Sequence, residues 1–245
     1  MKKIIYLSFF VSLAIGFSAC KKKTDSFSSI KLEDYYPLQT GKYITYQLDS
    51  LVYINFGTKD TVHSYQAKFL VDSLITDNLN RPAYRIFRFI RNNDTEPWTP
   101  SGTFMAVNTT GSLEFIENNL RFLKLELPVV NDFSWKGNSY IDTYSLNSEL
   151  KYMDDWDYTY ANVGDPLTIG SFNFDNSVTV NQRDETLGSP DAYYEVNFSQ
   201  EKYAKGVGLV YRNFLHTEYQ PGSGTGDGYY ADGSYGITLT VIDHN

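Results

Sequence analysis

Residues 43–54 read YITYQLDSLVYI, and their pattern decides the fold. Ile44, Tyr46, Leu48, Val52 and Ile54 fall on one face, and Thr45, Gln47 and Asp49 on the other. Side chains of an extended chain point alternately to opposite faces, so a period of two marks a strand with one side against a core. After a turn at 56–60, residues 62–75 alternate again, with Tyr65, Ala67, Phe69 and Val71 together. A second turn at 77–80 leads to a third strand over 83–91.

The same reading extends to the rest of the chain. Short strands are predicted over 104–108, 112–117 and 120–127. Asn118-Asn119 joins the last two, because asparagine tolerates the positive φ of a two-residue hairpin turn. Residues 92–102 and 221–233, the second reading PGSGTGDGYYADG, are predicted as loops. Further strands are expected near 140–144, 158–161, 177–182, 193–198, 209–218 and 235–242, with one helical turn over 199–205. Nowhere does an apolar stripe of 3.6-residue period persist for the length of a helix. With 21 tyrosines and 16 phenylalanines, the composition also suits pleated surfaces. The fold class is therefore all-β, mainly antiparallel, a curved half-barrel or sandwich with little helix.

The N-terminus carries a separate message. Met1-Lys2-Lys3 is basic, 4–17 is an apolar run without charge, and Ser18-Ala19 places small residues before Cys20. This is the layout of a secretory signal, and the run is short of the roughly 20 residues a spanning helix needs. Phe17-Ser18-Ala19-Cys20 resembles the bacterial lipobox, in which the cysteine is acylated and becomes the first mature residue; Phe17 departs from the aliphatic residue usual there. The resemblance implies lipid attachment at Cys20, the sole cysteine, so no internal disulfide forms. The expected organisation is a signal peptide over 1–19, an acylated flexible tether over 20–34 and one antiparallel β domain over 35–245. Surface-export tags of this lipoprotein type are acidic after the cysteine. Here Lys21-Lys22-Lys23 follows instead, which favours an outer-membrane anchor with the domain facing the periplasm.

The full chain carries a net charge of −8, and its signal holds two lysines and no acids, leaving the mature chain at −10. That balance argues against nucleic acid as a partner. Two local patterns, Tyr35-Tyr36-Pro37-Leu38-Gln39-Thr40-Gly41-Lys42-Tyr43 and Tyr203-Ala204-Lys205-Gly206-Val207-Gly208-Leu209-Val210-Tyr211, open an early and a late strand. Together they are similar to uncharacterised envelope lipoproteins of the Bacteroidetes type, some of which resemble the LolA/LolB-like lipoprotein carriers. That resemblance implies a curved sheet around an apolar groove and carries over no functional residue.

Catalytic chemistry finds no motif. His63, His216 and His244 lack metal-ligand spacing, and no Gly-x-Ser-x-Gly elbow occurs. Asp154-Asp155-Trp156-Asp157 lacks the spacing of a calcium loop. The chain is read as non-enzymatic, with no metal and no cofactor. Trp98, Trp135 and Trp156 fall in predicted loops and are the candidate ligand-binding residues. The leading expectation is an apolar or amphipathic ligand, a lipid or acyl chain, inside the curved sheet. The alternative is a glycan- or protein-binding accessory lipoprotein using loop aromatics; an unrecognised hydrolase ranks last. The membrane is reached through N-terminal acyl chains.

Overall fold

A computed structural model describes residues 30–189, 191–224 and 226–245. The stretch expected as a signal peptide, Cys20 and most of the stretch expected as a tether lie outside the described residues. The chain opens with a single helical turn, α1 (Leu32–Tyr35), and continues as β1 (Tyr43–Ile54), β2 (Lys59–Thr76), β3 (Pro82–Arg91), β4 (Thr99–Asn108), β5 (Ser112–Glu117) and β6 (Leu120–Glu126). Then come the short β7 (Ser134–Lys136), β8 (Asp157–Ala161), β9 (Leu167–Ile169) and β10 (Phe172–Phe174). The last part holds β11 (Ser177–Gly188), β12 (Tyr194–Ala204), β13 (Gly208–Gln220), β14 (Tyr229–Tyr230) and β15 (Tyr235–His244).

All but the β9–β10 hairpin belong to one antiparallel sheet in the order β6-β5-β4-β3-β2-β1-β15-β13-β12-β11-β8-β7, with β14 beside β13. The fold class read from the sequence is the one observed, and the curvature runs on until the sheet is a nearly closed barrel. At the seam, the end strands meet. The Leu123 amide donates to the Gly137 carbonyl at 2.8 Å, and the Trp135 indole donates to the Leu123 carbonyl at 2.7 Å. The Tyr160 hydroxyl accepts from the Glu126 amide and donates to the Glu126 carbonyl, both at 2.8 Å. Side chains thus satisfy edge groups of β6 that a free edge leaves to solvent.

The alternation of the first strands places their apolar faces inside, where Tyr46, Ala67, Val71, Ile86, Phe104, Leu113 and Leu125 share one core. Asn118 and Asn119 turn β5 into β6 with φ of 51° and 63°. The two lipoprotein-like patterns meet at one end of the barrel. The Gly206 amide donates to the Asp34 carbonyl, and Lys42 Nζ to the Gly206 carbonyl at 2.8 Å. Gly206 sits at φ 79°, and a Cβ on Gly208 would stand 3.2 Å from Ile44 Cδ1, so both positions favour glycine.

Three local expectations are corrected. No helical turn occupies 199–205; β12 runs unbroken because Asn197, Ser199, Glu201 and Tyr203 alternate inward, a strand pattern made of polar residues. The strand expected near 140–144 is irregular chain, and the pairing falls to Ser134–Lys136. Leu32 is buried, so packing starts inside the stretch 20–34 expected as tether.

The interior is filled. Tyr35, Tyr46, Tyr158, Tyr160 and Tyr203 are fully buried. Lys124 on β6 meets Glu201 on β12 at 2.5 Å, Tyr203 donates to the other Glu201 oxygen, and Arg212 stands 3.7 Å from Glu201 and 3.3 Å from Glu117. Burial opposes ionisation of Glu201, but the two cations and the Tyr203 hydroxyl outweigh it and hold the carboxyl below the usual carboxylate range. Removing one partner of such a pair strands a buried charge. Lys124→Met should therefore destabilise the protein by about 3–5 kcal/mol, and adding Glu201→Gln should recover part of that loss. Urea unfolding of the two variants measures both, and equal losses would contradict a paired interior charge.

Candidate functional site

The three tryptophans part company. Trp135 is 6% exposed on β7, its ring 4.5 Å from Tyr160 and 5.8 Å from Tyr158. Trp156 is 2% exposed, donates its indole N–H to the Tyr152 carbonyl at 2.7 Å and packs near Phe214. Both fill the core, Trp135 at the seam and Trp156 against Phe214 of β13, although Trp156 also borders a cleft of about 250 Å³ with Lys136, Asn138 and Asp154. The physical reason is that a large apolar ring with one satisfied N–H gains most by burial. The sequence around each shows too short an alternation to reveal it.

Trp98 is different. It stands half-buried in the loop between β3 and β4, with the Arg91 guanidinium 4.3 Å from its ring centroid. Arg91 is fixed by donating to Gln66 Oε1 at 2.7 Å and to Asp94 Oδ1 at 2.6 Å. These bonds tie the loop back onto the outer face of the sheet. There Thr45, Gln47, Gln66 and Lys68, the outward residues of β1 and β2, combine with Trp98 and Asp243 to line an open cleft of about 480 Å³. Strand register sets these residues side by side: Thr45 pairs with Lys68 and with Asp243, and Gln47 with Gln66. Lys68 Nζ lies 3.8 Å over the Tyr43 ring, whose hydroxyl donates to Asp243 at 3.0 Å. That hydrogen bond raises the Tyr43 phenol above its ordinary value.

The cleft thus offers the Trp98 ring, with the Arg91 guanidinium over one face, two amides, a hydroxyl, an ammonium and the carboxylates of Asp94 and Asp243 on a rigid sheet. Such an arrangement binds by stacking and directional hydrogen bonds. It contains no histidine or activated nucleophile. The outward polar half of the first strands was legible as Thr45, Gln47 and Asp49; its partnership with Trp98 depends on a loop fold that alternation does not encode.

The remaining candidates have structural partners. Lys136 bridges Asp155 and Asp157 at 2.6 and 2.9 Å, and Thr143 donates to Asp154 at 2.7 Å. His244 is held in β15 beside the Phe172 ring at 5.3 Å. Among the described residues, no group of three or more histidine, cysteine or acidic side chains is placed to hold a metal ion. Among the described residues, buried tyrosines and the Lys124–Glu201 pair occupy the interior. The recess between Tyr36, Tyr46, Phe69 and Val207 measures about 30 Å³, room for about two waters and far less than an acyl chain. Comparison with protein-family models, curated proteins and solved structures returned no match to this chain.

His216 is buried inside the barrel. It stacks on Tyr152 at 3.6 Å, contacts Asn197 through Nδ1 at 2.7 Å and stands 3.6 Å from Glu218. Burial pushes its pKa below the ordinary 6.5, and Glu195 only partly offsets that. The unfolded chain therefore binds the proton more readily, and stability falls as pH drops below 6.5 toward the folded value. Glu218 is raised by burial and by Glu195, and acts in the opposite direction nearer its own ordinary range. Thermal unfolding across this window should show a steeper acid loss for the natural chain than for His216→Asn. Identical slopes would remove His216 as the cause.

Proposed function

We propose that this protein is a lipid-anchored envelope lipoprotein, attached through Cys20, that binds a glycan in the Trp98 cleft on the outer face of its barrel. The anchor reading is supported by the signal-like residues 1–19 and the lipobox-like stretch ending at Cys20. The observation that carries the binding reading is the setting of Trp98. Of the three loop tryptophans expected to meet a ligand, it alone stays accessible, and it does so beside Gln47, Gln66, Lys68 and Asp243. A pyranose ring has an apolar C–H face and a rim of hydroxyls, which match an indole surface and flanking amide and charged groups. An apolar ligand inside the barrel is the competing reading, and it requires buried tyrosines and the Lys124–Glu201 pair to be displaced.

The mature chain, screened on an array of bacterial and plant polysaccharides, should retain a subset of glycans. Titration of the best ligand should then lose about tenfold in affinity, or 1.4 kcal/mol, with Trp98→Ala, and less with Gln47→Ala or Gln66→Ala. Trp135→Phe and Trp156→Phe should leave affinity unchanged while lowering the unfolding midpoint. Glycan binding that survives Trp98→Ala, or no binding to any glycan, would refute the site.

A further inference from the structure

The end of the barrel where the described chain begins carries a second, apolar cleft of about 720 Å³. Ile30 and Leu32 form one wall, and Leu127, Pro128, Val129 and Val130, which follow β6, form the other. Leu32 and Val129 are buried, whereas Ile30 is 37% and Val130 49% exposed. The turn between β2 and β3 lies at the same end of the sheet and adds Leu79, 63% exposed. Lys31 and Glu33 also line the cleft, and Asn108, Thr109 and Thr110 at the turn from β4 to β5 complete it.

Ile30 lies ten positions after Cys20. An extended chain covers at most about 3.6 Å per residue, so an acyl group on Cys20 stays within roughly 36 Å of Ile30. The tip of the β1–β2 hairpin, with Phe56 97% exposed, lies at the opposite end. β1 alone, at 12 residues, spans about 40 Å between the two ends. A lipid held on this tether therefore keeps the Ile30 end within roughly 36 Å of the bilayer, while the hairpin tip can point away from it. Lys21, Lys22 and Lys23 lie in the same short connection, and cations there suit anionic head groups.

We propose that this cleft seats the protein on the membrane, its occupant being the boundary between head groups and acyl chains of the bilayer that holds Cys20. The proposal rests on the reading of Cys20 as acylated. Contact at this end orients the barrel with its hairpin tip outward and leaves the Trp98 cleft on the flank accessible to a soluble or wall-bound glycan.

The sequence supplies a clean test, because Cys20 is the sole cysteine and acylation consumes its thiol. The full chain, produced in a bacterium that processes lipoproteins, is made as Val130→Cys and as Phe56→Cys. Each is labelled with an environment-sensitive fluorophore and placed in phosphatidylethanolamine–phosphatidylglycerol vesicles that contain spin-labelled lipid. The Val130→Cys label should lose most of its fluorescence to the lipid quencher, and the Phe56→Cys label should keep it. Equal quenching at both positions, or none at either in a chain whose intact mass includes the acyl groups, would overturn the seating surface and leave the anchor standing. A Val130→Cys label shielded from lipid and aqueous quenchers alike would assign the cleft to residues 20–29 and also overturn it. An unacylated mass with two reactive thiols would refute the anchor itself.

Discussion

The rest of the structure depends on how the two ends of one very wide sheet are brought together. An exposed edge strand offers unpaired amides and carbonyls to any other chain, and a half-barrel offers two such edges. Here the edge of β6 is met from β7 and β8, with Leu123 bonded through both backbone groups to Gly137 and Trp135, and Glu126 through both to Tyr160. Inside, Lys124 reaches from the same edge strand to Glu201. The seam and this ion pair hold β6 to the far side of the sheet from two directions, and the tyrosines between them become core.

Closure determines where recognition can take place. An open curved sheet would leave an apolar concave surface for a lipid, as the likeness to carrier half-barrels implied. Filling that concavity with Tyr46, Tyr158, Tyr203 and a charge-balanced group of Lys124, Arg212, Glu117 and Glu201 changes it into an interior. The outward polar faces of β1 and β2 then acquire the significance that the inner face has lost, and the loop carrying Trp98 is clamped over them through Arg91.

Much of this was written in local pattern. The alternation of 43–54 and 62–75, the paired asparagines at 118–119 and the turn residues between strands follow from side-chain period and backbone preference, which a sequence displays directly. What escaped was set by distant partners. Ser199 and Glu201 look like surface residues until Gln182 and Lys124 arrive from other strands. Trp135 and Trp156 sit in short or irregular segments, and only their distant partners, Leu123 and Tyr160 for the first and Phe214 for the second, show that their rings belong to the core. Trp98 was singled out with them on equal grounds; its accessibility comes from a loop held by one arginine, a contact between β3 and its neighbour that no periodicity announces.

Backbone amide exchange at the seam reports whether the two ends of the sheet meet. Hydrogen–deuterium exchange read by NMR on the mature chain should show the Leu123 and Glu126 amides protected to the same degree as those of interior strands such as β1 and β12. Rapid exchange at both, of the kind an open edge strand gives, would contradict closure and return the inner face to consideration as the ligand surface.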